Sequence, residues 1–365
     1  MILLLVDRGF TGAEAASVQA FSLIAAAWAV PRLGIALDQG RHSFVLCLLA
    51  VGISCGLVPF AFKNLSGFII VAAAVCFVIS AATLNICVTR FTEGLADSNE
   101  LSKKASLTYL SSNSALGVSS LIAYFFIEDY AETLITLDVL SSLLFILFLA
   151  YGYRFVGVHK KTTTQPVTAP IKTFIRQHVA VSLAVVALFA TLYCHVSAIP
   201  LFYLEQVGAG AKRLQALMMF ANTSFVVLGR LLYSRGWFGE NRRLLLILAI
   251  ALAAVPHMLV PYWISPVGAL VIAAIAAVGE ALAYPLITER IIGFFDKQQA
   301  GLAVGIRDML IKFSLISAPL LGSLVYRSPG YVFSIVFGGL PLLAGILFEH
   351  AKRKAGSDVD VVFSR

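Results

Sequence analysis

The chain has 365 residues, of which 59% are hydrophobic and 13% charged. Soluble domains carry about one quarter charged residues, so a water-soluble fold is excluded. The net charge is +8, but the basic residues lie between apolar runs rather than on one patch. That distribution argues against a nucleic-acid partner and for loops that face anionic lipid. Cys47, Cys55, Cys76, Cys87 and Cys194 all sit inside apolar runs, at no metal-ligand spacing. They read as small core residues, with neither a disulfide nor a metal expected.

The chain opens with six apolar residues, 1–6, followed by Asp7-Arg8-Gly9. Six residues of helix span about 9 Å, against roughly 30 Å of hydrocarbon core. A signal peptide would need a basic start and a small-residue cleavage site, and neither is present. The opening is therefore expected to be the end of a first membrane helix, a stub left by a misplaced start codon or a truncated gene product.

Eleven full spans are predicted after it, at 16–37, 43–62, 67–89, 106–127, 132–152, 178–201, 212–233, 244–263, 267–289, 301–325 and 331–350. Each holds about 20 residues, enough to cross a bilayer. Most are apolar on every face, as membrane helices are. Eighteen Lys and Arg fall in the links at 38–42, 90–105, 153–177, 234–243, 290–300 and 351–365, against five in the opposite set of links. By the positive-inside rule the first set, and with it the C-terminus, faces the cytoplasm. The link 153–177 carries His159-Lys-Lys-Thr-Thr-Thr-Gln-Pro166 and Pro170. Such composition suits a solvated tether, and it divides the chain into halves of similar length.

Between the first two full spans lies a short polar turn, Gly34-Ile-Ala-Leu-Asp38-Gln-Gly40-Arg41. It resembles the signature loop between helices 2 and 3 of the major facilitator superfamily, G-x-L-x-D-R-x-G-R-R/K. Gly34, Asp38 and Arg41 match in kind; the loop is one residue shorter, and Gln39 follows the Asp. In the second half, Gly229-Arg-Leu-Leu-Tyr-Ser-Arg235-Gly236 stands in the corresponding place, with Tyr233 where the acid would be. The resemblance implies an all-α polytopic membrane protein of two six-helix bundles, the first helix truncated. These would be 1–152, a cytoplasmic linker 153–177, 178–350 and a cytoplasmic tail 351–365. It further implies a substrate site near the midplane between the halves, and a gating role for Gly34, Asp38, Gly40 and Arg41.

A charge at mid-bilayer costs at least ~2.5–3.5 kcal/mol on insertion scales, so each one inside a span needs a partner, water or a function. Glu280 and Lys312 lie near the centres of two consecutive antiparallel spans. A pair between them is geometrically possible, either as a coupling site for protons or substrate or as a static tie. Asp308 and Lys312 are spaced to pair on one helix face. Arg307 is placed to meet the cytoplasmic loops or Asp38, as part of an inward-closing gate, or to form a local ion pair. Asp138 is a second protonatable candidate. Tyr193 and His195 precede Pro200 and are candidates for ligand contact or for packing. Asn113 and Asn222 suit hydrogen bonds to substrate or between helices.

No nucleotide loop, nucleophile elbow or metal spacing occurs, so the chain reads as a non-enzyme without cofactors. The expected function is secondary transport of a small organic solute across the cytoplasmic membrane by alternating access, as a monomer, in proton-coupled export. The pattern G-x-x-x-G-P of antiporter helix 5 survives only as Gly117 near Asn113–Ala123, which keeps proton-coupled uptake as an alternative. The stub keeps another, a non-transporting remnant or sensor.

Overall fold

The structure is a computed structural model that describes residues 1–62, 64–94, 101–127, 130–154, 174–238, 241–294 and 300–355. The linker expected at 153–177 and the tail at 351–365 lie largely outside the described residues. The described chain is helical throughout. In the first part the helices are α1 (Ile2–Asp7), α2 (Gly12–Asp38), α3 (His42–Leu57), α4 (Gly67–Gly94), α5 (Leu101–Phe126) and α6 (Ala131–Gly152). In the second they are α7 (Val179–Leu192), α8 (Ala198–Val207), α9 (Ala211–Ser234), α10 (Arg242–Leu259), α11 (Pro266–Gly293), α12 (Ala300–Val325), α13 (Gly330–Phe333) and α14 (Gly339–Ala355). Among the described residues, nine helical stretches are long and apolar enough to cross a membrane. The predicted spans 16–37 and 106–127 fall in α2 and α5, of 27 and 26 residues. The chain divides into two compact units. One holds Met1–Ala115 and Phe125–Thr164, the other Leu116–Tyr124 and Gln165–Arg365.

In the first unit, α2 begins on a reciprocal cap. The Thr11 N–H donates to Glu14 Oε2 at 2.8 Å, and the Glu14 N–H donates to Thr11 Oγ1 at 3.3 Å. This satisfies two of the helix's orphan donors. The backbone bond from Thr11, and then its hydroxyl, hold the Glu14 carboxyl below the usual carboxylate range. The cap is therefore intact above that range and is lost as acid protonates Glu14. The core joins Leu37, Val45, Leu49 and Ile53 to Ile146 and Leu149. Tyr153 closes it by donating to the Cys87 carbonyl at 2.6 Å and stacking on His42, with ring centroids 4.6 Å apart. α3 and α4 meet where Gly56 lies against the backbone of Phe77; a Cβ there would stand 2.6 Å from the Phe77 nitrogen. Gly52 and Gly56 form a small-x-x-x-small seam, which lets membrane helices approach closely.

The polar turn after α2 is a left-handed cap. Gly40 has φ 81°. Its N–H bonds the Leu37 carbonyl at 2.9 Å, and the Arg41 N–H bonds that of Ala36 at 2.9 Å. The corresponding turn after α9 repeats the pattern in the second unit. Gly236 has φ 74°; it bonds Tyr233 at 3.0 Å, and Trp237 bonds Leu232 at 3.1 Å. Both are Schellman motifs, in which a residue of positive φ, nearly always glycine, ends the helix.

In the second unit, the predicted span 178–201 is broken. α7 ends at Leu192, a 3₁₀ turn covers Tyr193–Val196, and α8 starts after Ser197, whose φ and ψ are −140° and −68°. The cause is Pro200. It has no N–H to give the carbonyl four residues back, at Val196, and its ring crowds that carbonyl. The core around α7 gathers Leu188, Phe189, Leu245, Ala249, Leu282, Leu286 and Leu310. A π-turn at Ser334–Gly338 precedes α14. It leaves the Phe337 carbonyl to accept from Thr191 Oγ1 at 3.1 Å.

The Gly56–Phe77 contact is backbone against backbone and cannot relax by a rotamer change. Gly56→Ala is expected to destabilise the first unit by about 1–3 kcal/mol. Gly339→Ala, where a Cβ meets nothing within 4 Å, should leave stability unchanged or slightly raised. Thermal unfolding of the purified variants in detergent measures both; equal melting temperatures would refute the contact's role.

Candidate functional site

α11 is apolar but for one carboxylate in its middle. Glu280 is 7% exposed, and Asn222 of α9, beside it, is 5% exposed. The Asn222 amide points its Nδ2 at Glu280 Oε2 over 3.5 Å. Glu280, Tyr284 and Thr288 follow at intervals of four, so they form one stripe along α11. Two arginines converge on the stripe from different helices. Arg230 of α9 lies with its guanidinium carbon 4.7 Å from the centre of the Tyr284 ring. Arg307 of α12 lies 4.8 Å from the same ring. Arg307 also donates to Thr288 Oγ1 at 3.0 Å and pairs with Asp308 at 2.6 Å. The charge of Arg230 reaches Glu280 as well. A continuous set of polar contacts thus runs from α9 through the α11 stripe to α12. Such clustering of guanidinium on aromatic faces stabilises charge away from water.

This arrangement departs from two pairings that the sequence allows. Glu280 does not pair with Lys312; its bonded partner is Asn222. Nor does Asp308 pair with Lys312, because the neighbouring Arg307 takes its carboxylate with two nitrogens, at 2.6 and 2.9 Å. Glu280 faces α9, whereas Lys312 is an exposed residue of α12. Lys312 forms no ion pair with any other described residue.

A second network lies where α9, α10 and α11 end. Arg242 bonds the Tyr233 hydroxyl and sits 3.5 Å from Glu289, to which Tyr233 also donates at 3.4 Å. Arg243 pairs with Glu349 of α14 at 3.3 Å. Sequence reading noticed Tyr233 as the replacement for the loop acid and counted the arginines only as topogenic charge. The signal it passed over was Glu289, an acid at the end of an apolar helix among basic neighbours.

The broken helix holds the third group. His195 is buried, with Nδ1 2.5 Å from the Leu192 carbonyl, and its own carbonyl accepts from Gln215 at 2.6 Å. Tyr193 is half-buried, its ring 6.3 Å from that of His195 and stacked near Phe189. His257 of α10, buried and unremarked in the sequence, lies within electrostatic reach of His195 and bonds the Ala253 carbonyl at 2.5 Å.

The remaining candidates belong to the first unit. Asp138 is an exposed residue of α6, Asn113 a half-buried one of α5, and Arg41 is exposed at the start of α3. The side chain of Asp38, the position of Gly34's surroundings, and with them the contact expected between Asp38 and Arg307, lie outside the described residues.

The Arg–Tyr–Arg stack makes Tyr284 the pivot of the second unit's polar interior. Tyr284→Leu, which keeps apolar bulk but removes the ring, is expected to lower stability by about 1–4 kcal/mol, from two cation–π contacts of ~0.5–2 kcal/mol each. Tyr284→Phe should lose markedly less. Unfolding midpoints of the two variants give the comparison, and equal losses would show that the ring face is not what matters.

Comparison with known proteins follows the same outline. The sequence profile described as Major Facilitator Superfamily matches residues 1–289. No curated protein matches the chain. Among solved structures, a POT family transporter in complex with a thioalcohol-conjugated peptide superposes with a TM-score of 0.69 at 11% identity, over 94% of this chain and 88% of that one. The nucleoside transporter NupG gives 0.67 at 14% identity, over 95% and 93%. The human organic anion transporter MFSD10 (TETRAN) gives 0.60 at 14% identity, over 92% and 83%. Such identities speak for the fold alone, while the profile covers well over half the chain. The chain belongs to the Major Facilitator Superfamily, as an all-α, multi-pass and non-enzymatic membrane transporter.

Proposed function

We propose that this chain is a proton-coupled secondary transporter that exports a small organic solute across the cytoplasmic membrane by alternating access, with Glu280 as the proton-carrying group. The observation that carries the reading is the placement of Glu280. It is a buried carboxylate at the middle of an apolar helix, held by one neutral amide rather than by a lysine or arginine salt bridge. A carboxylate kept there costs stability and no packing need explains it. An amide partner serves both protonation states, since Asn222 can donate to the carboxylate and accept from the acid.

Glu280 also sits one helical turn from Tyr284, on which both arginines rest. A change of charge at Glu280 therefore acts on Arg230 directly and on α12 through the shared ring. That is the physical contiguity a coupled two-state element requires. The excess of Lys and Arg in the link set that includes 38–42 and 234–243 supports a cytoplasmic C-terminus. Short links and an interior with few charges support export. A proton-driven uptake reading shares the same carboxylate; it is favoured by α5, which has no proline between Asn113 and Ala123.

Inside-out vesicles with an imposed pH gradient separate the readings. Addition of a transported solute should discharge an acid-inside gradient in the wild type, as solute accumulates in exchange for protons. Glu280→Gln, which keeps the bond to Asn222, should bring this discharge to background while the protein still reaches the membrane. Solute-driven proton movement at the wild-type rate in Glu280→Gln would rule out the carrier role. Solute accumulation driven by the opposite gradient would reverse the direction.

A further inference from the structure

α12 presents three faces, and they are not equivalent. With about 100° of turn per residue, Leu310, Ile311, Ser314 and Ala318 spread over roughly 100° and are all buried. Phe313, Leu320 and Leu324 share a second face and are 48%, 43% and 75% exposed. That apolar exposed strip is what hydrocarbon wets. Asp308 and Lys312, both exposed, share a third face, about 100° around from the centre of the apolar strip.

Lys312 is the thirteenth of the 26 residues of α12. It stands about 18 Å along the axis from either end, farther than its four-carbon stem can snorkel. A lysine at that depth facing lipid would cost at least ~2.5–3.5 kcal/mol. Both carboxylates that could neutralise it are engaged elsewhere, Asp308 by Arg307 and Glu280 by Asn222. It has no ion pair with any described residue. The remaining physical solution is water, so the Asp308–Lys312 face borders an aqueous space rather than lipid.

We infer that Lys312 is the recognition group for an organic monoanion, a solute joining one carboxylate or sulfonate group to an apolar body. This rests on the transport reading above and assigns its substrate class. An ammonium that meets water beside apolar helix surface attracts an anion more strongly than it would in bulk water. Its neighbours about one turn away on the same side of the helix, Met309 and Ile316, are apolar and half-buried. They offer a surface for the rest of such a solute. Asp308, one turn away, is tied to Arg307 and does not cancel the site.

The test uses the wild-type protein in phosphatidylcholine vesicles and needs no flux. Pyridoxal 5′-phosphate, an anionic aldehyde soluble in water, forms an imine with an accessible lysine, and borohydride fixes it for peptide mapping by mass spectrometry. Lys312 should be labelled, and millimolar benzoate or 1-naphthalenesulfonate should slow that labelling at least about fivefold. Benzyltrimethylammonium and inorganic phosphate should leave the rate unchanged. The assignment falls if Lys312 is not labelled, if neither organic anion protects it, or if the cation or phosphate protects equally well. Because protection is read without transport, it can hold even where Glu280→Gln leaves flux intact. Failure here and failure of the coupling role are thus told apart.

Discussion

Hydrocarbon gives a polar group nothing to bond with, so every such group in a membrane helix must find its partner within the protein or meet water. The second unit meets that constraint in three ways. Neutral groups turn back on their own helix: Thr191, Ser314, His195 and His257 all bond carbonyls three or four residues earlier. The two arginines are spread over a ring and hydroxyl acceptors, Arg230 on Tyr284 and Arg307 on Tyr284 and Thr288. The carboxylate takes an amide from a neighbouring helix. The first two solutions tie their groups to a fixed acceptor or ring. The third accommodates a change of protonation, since an amide can donate to a carboxylate and accept from an acid.

That distinction explains why the second histidine does not make the broken helix an equal rival to Glu280 as the proposed coupling group. His195 and His257 are each committed through Nδ1 to a carbonyl at 2.5 Å. The break at Tyr193–Ser197 follows from Pro200 and exposes backbone that Gln215 then satisfies at the His195 carbonyl. The polar residues there repair a helix. Around Glu280 the helix is not broken: α11 runs from Pro266 to Gly293, its internal Pro285 included.

Much of this architecture was legible in the sequence. Composition and the lengths of the apolar runs depend on the solvent alone, so they mark spans whatever the packing. The two loops gave themselves away through Gly40 and Gly236, since only a residue tolerant of positive φ closes a Schellman cap; their repetition betrays the relation of the halves. Pairings were less legible. Glu280 and Lys312 share a depth, and depth can be counted along a helix, but azimuth depends on which face each helix turns to its neighbours. The α9–α11 contact fixed that face and gave Glu280 to Asn222. The break after Leu192 was signalled by Pro200, yet three other prolines, Pro256, Pro285 and Pro319, sit inside unbroken helices. Sequence alone does not say which proline's lost bond is absorbed and which opens the helix. The Tyr233–Arg242–Glu289 cluster was missed because arginines at a helix end read first as topological anchors, and an anchor needs no partner.

Charge balance shows why the stripe on α11 is suited to more than holding helices together. Arg230, Arg307, Asp308 and Glu280 carry two positive and two negative charges when all are ionised. Asp308 is committed to Arg307 at 2.6 Å, so the charge left to answer Glu280 is that of Arg230. A proton on Glu280 removes that interaction, while the contact of Arg230 with the Tyr284 ring, worth about 0.5–2 kcal/mol, remains. Arg230 lies on α9, near the Gly236 cap and beside the Tyr233–Arg242–Glu289 cluster that ties the ends of α9, α10 and α11. A shift in its balance therefore falls on the segment where three helices are joined by exposed, readily exchanged ion pairs, whose net worth is small. The strong contacts lie at the middle of the unit and the weak, solvent-exposed ones at its end.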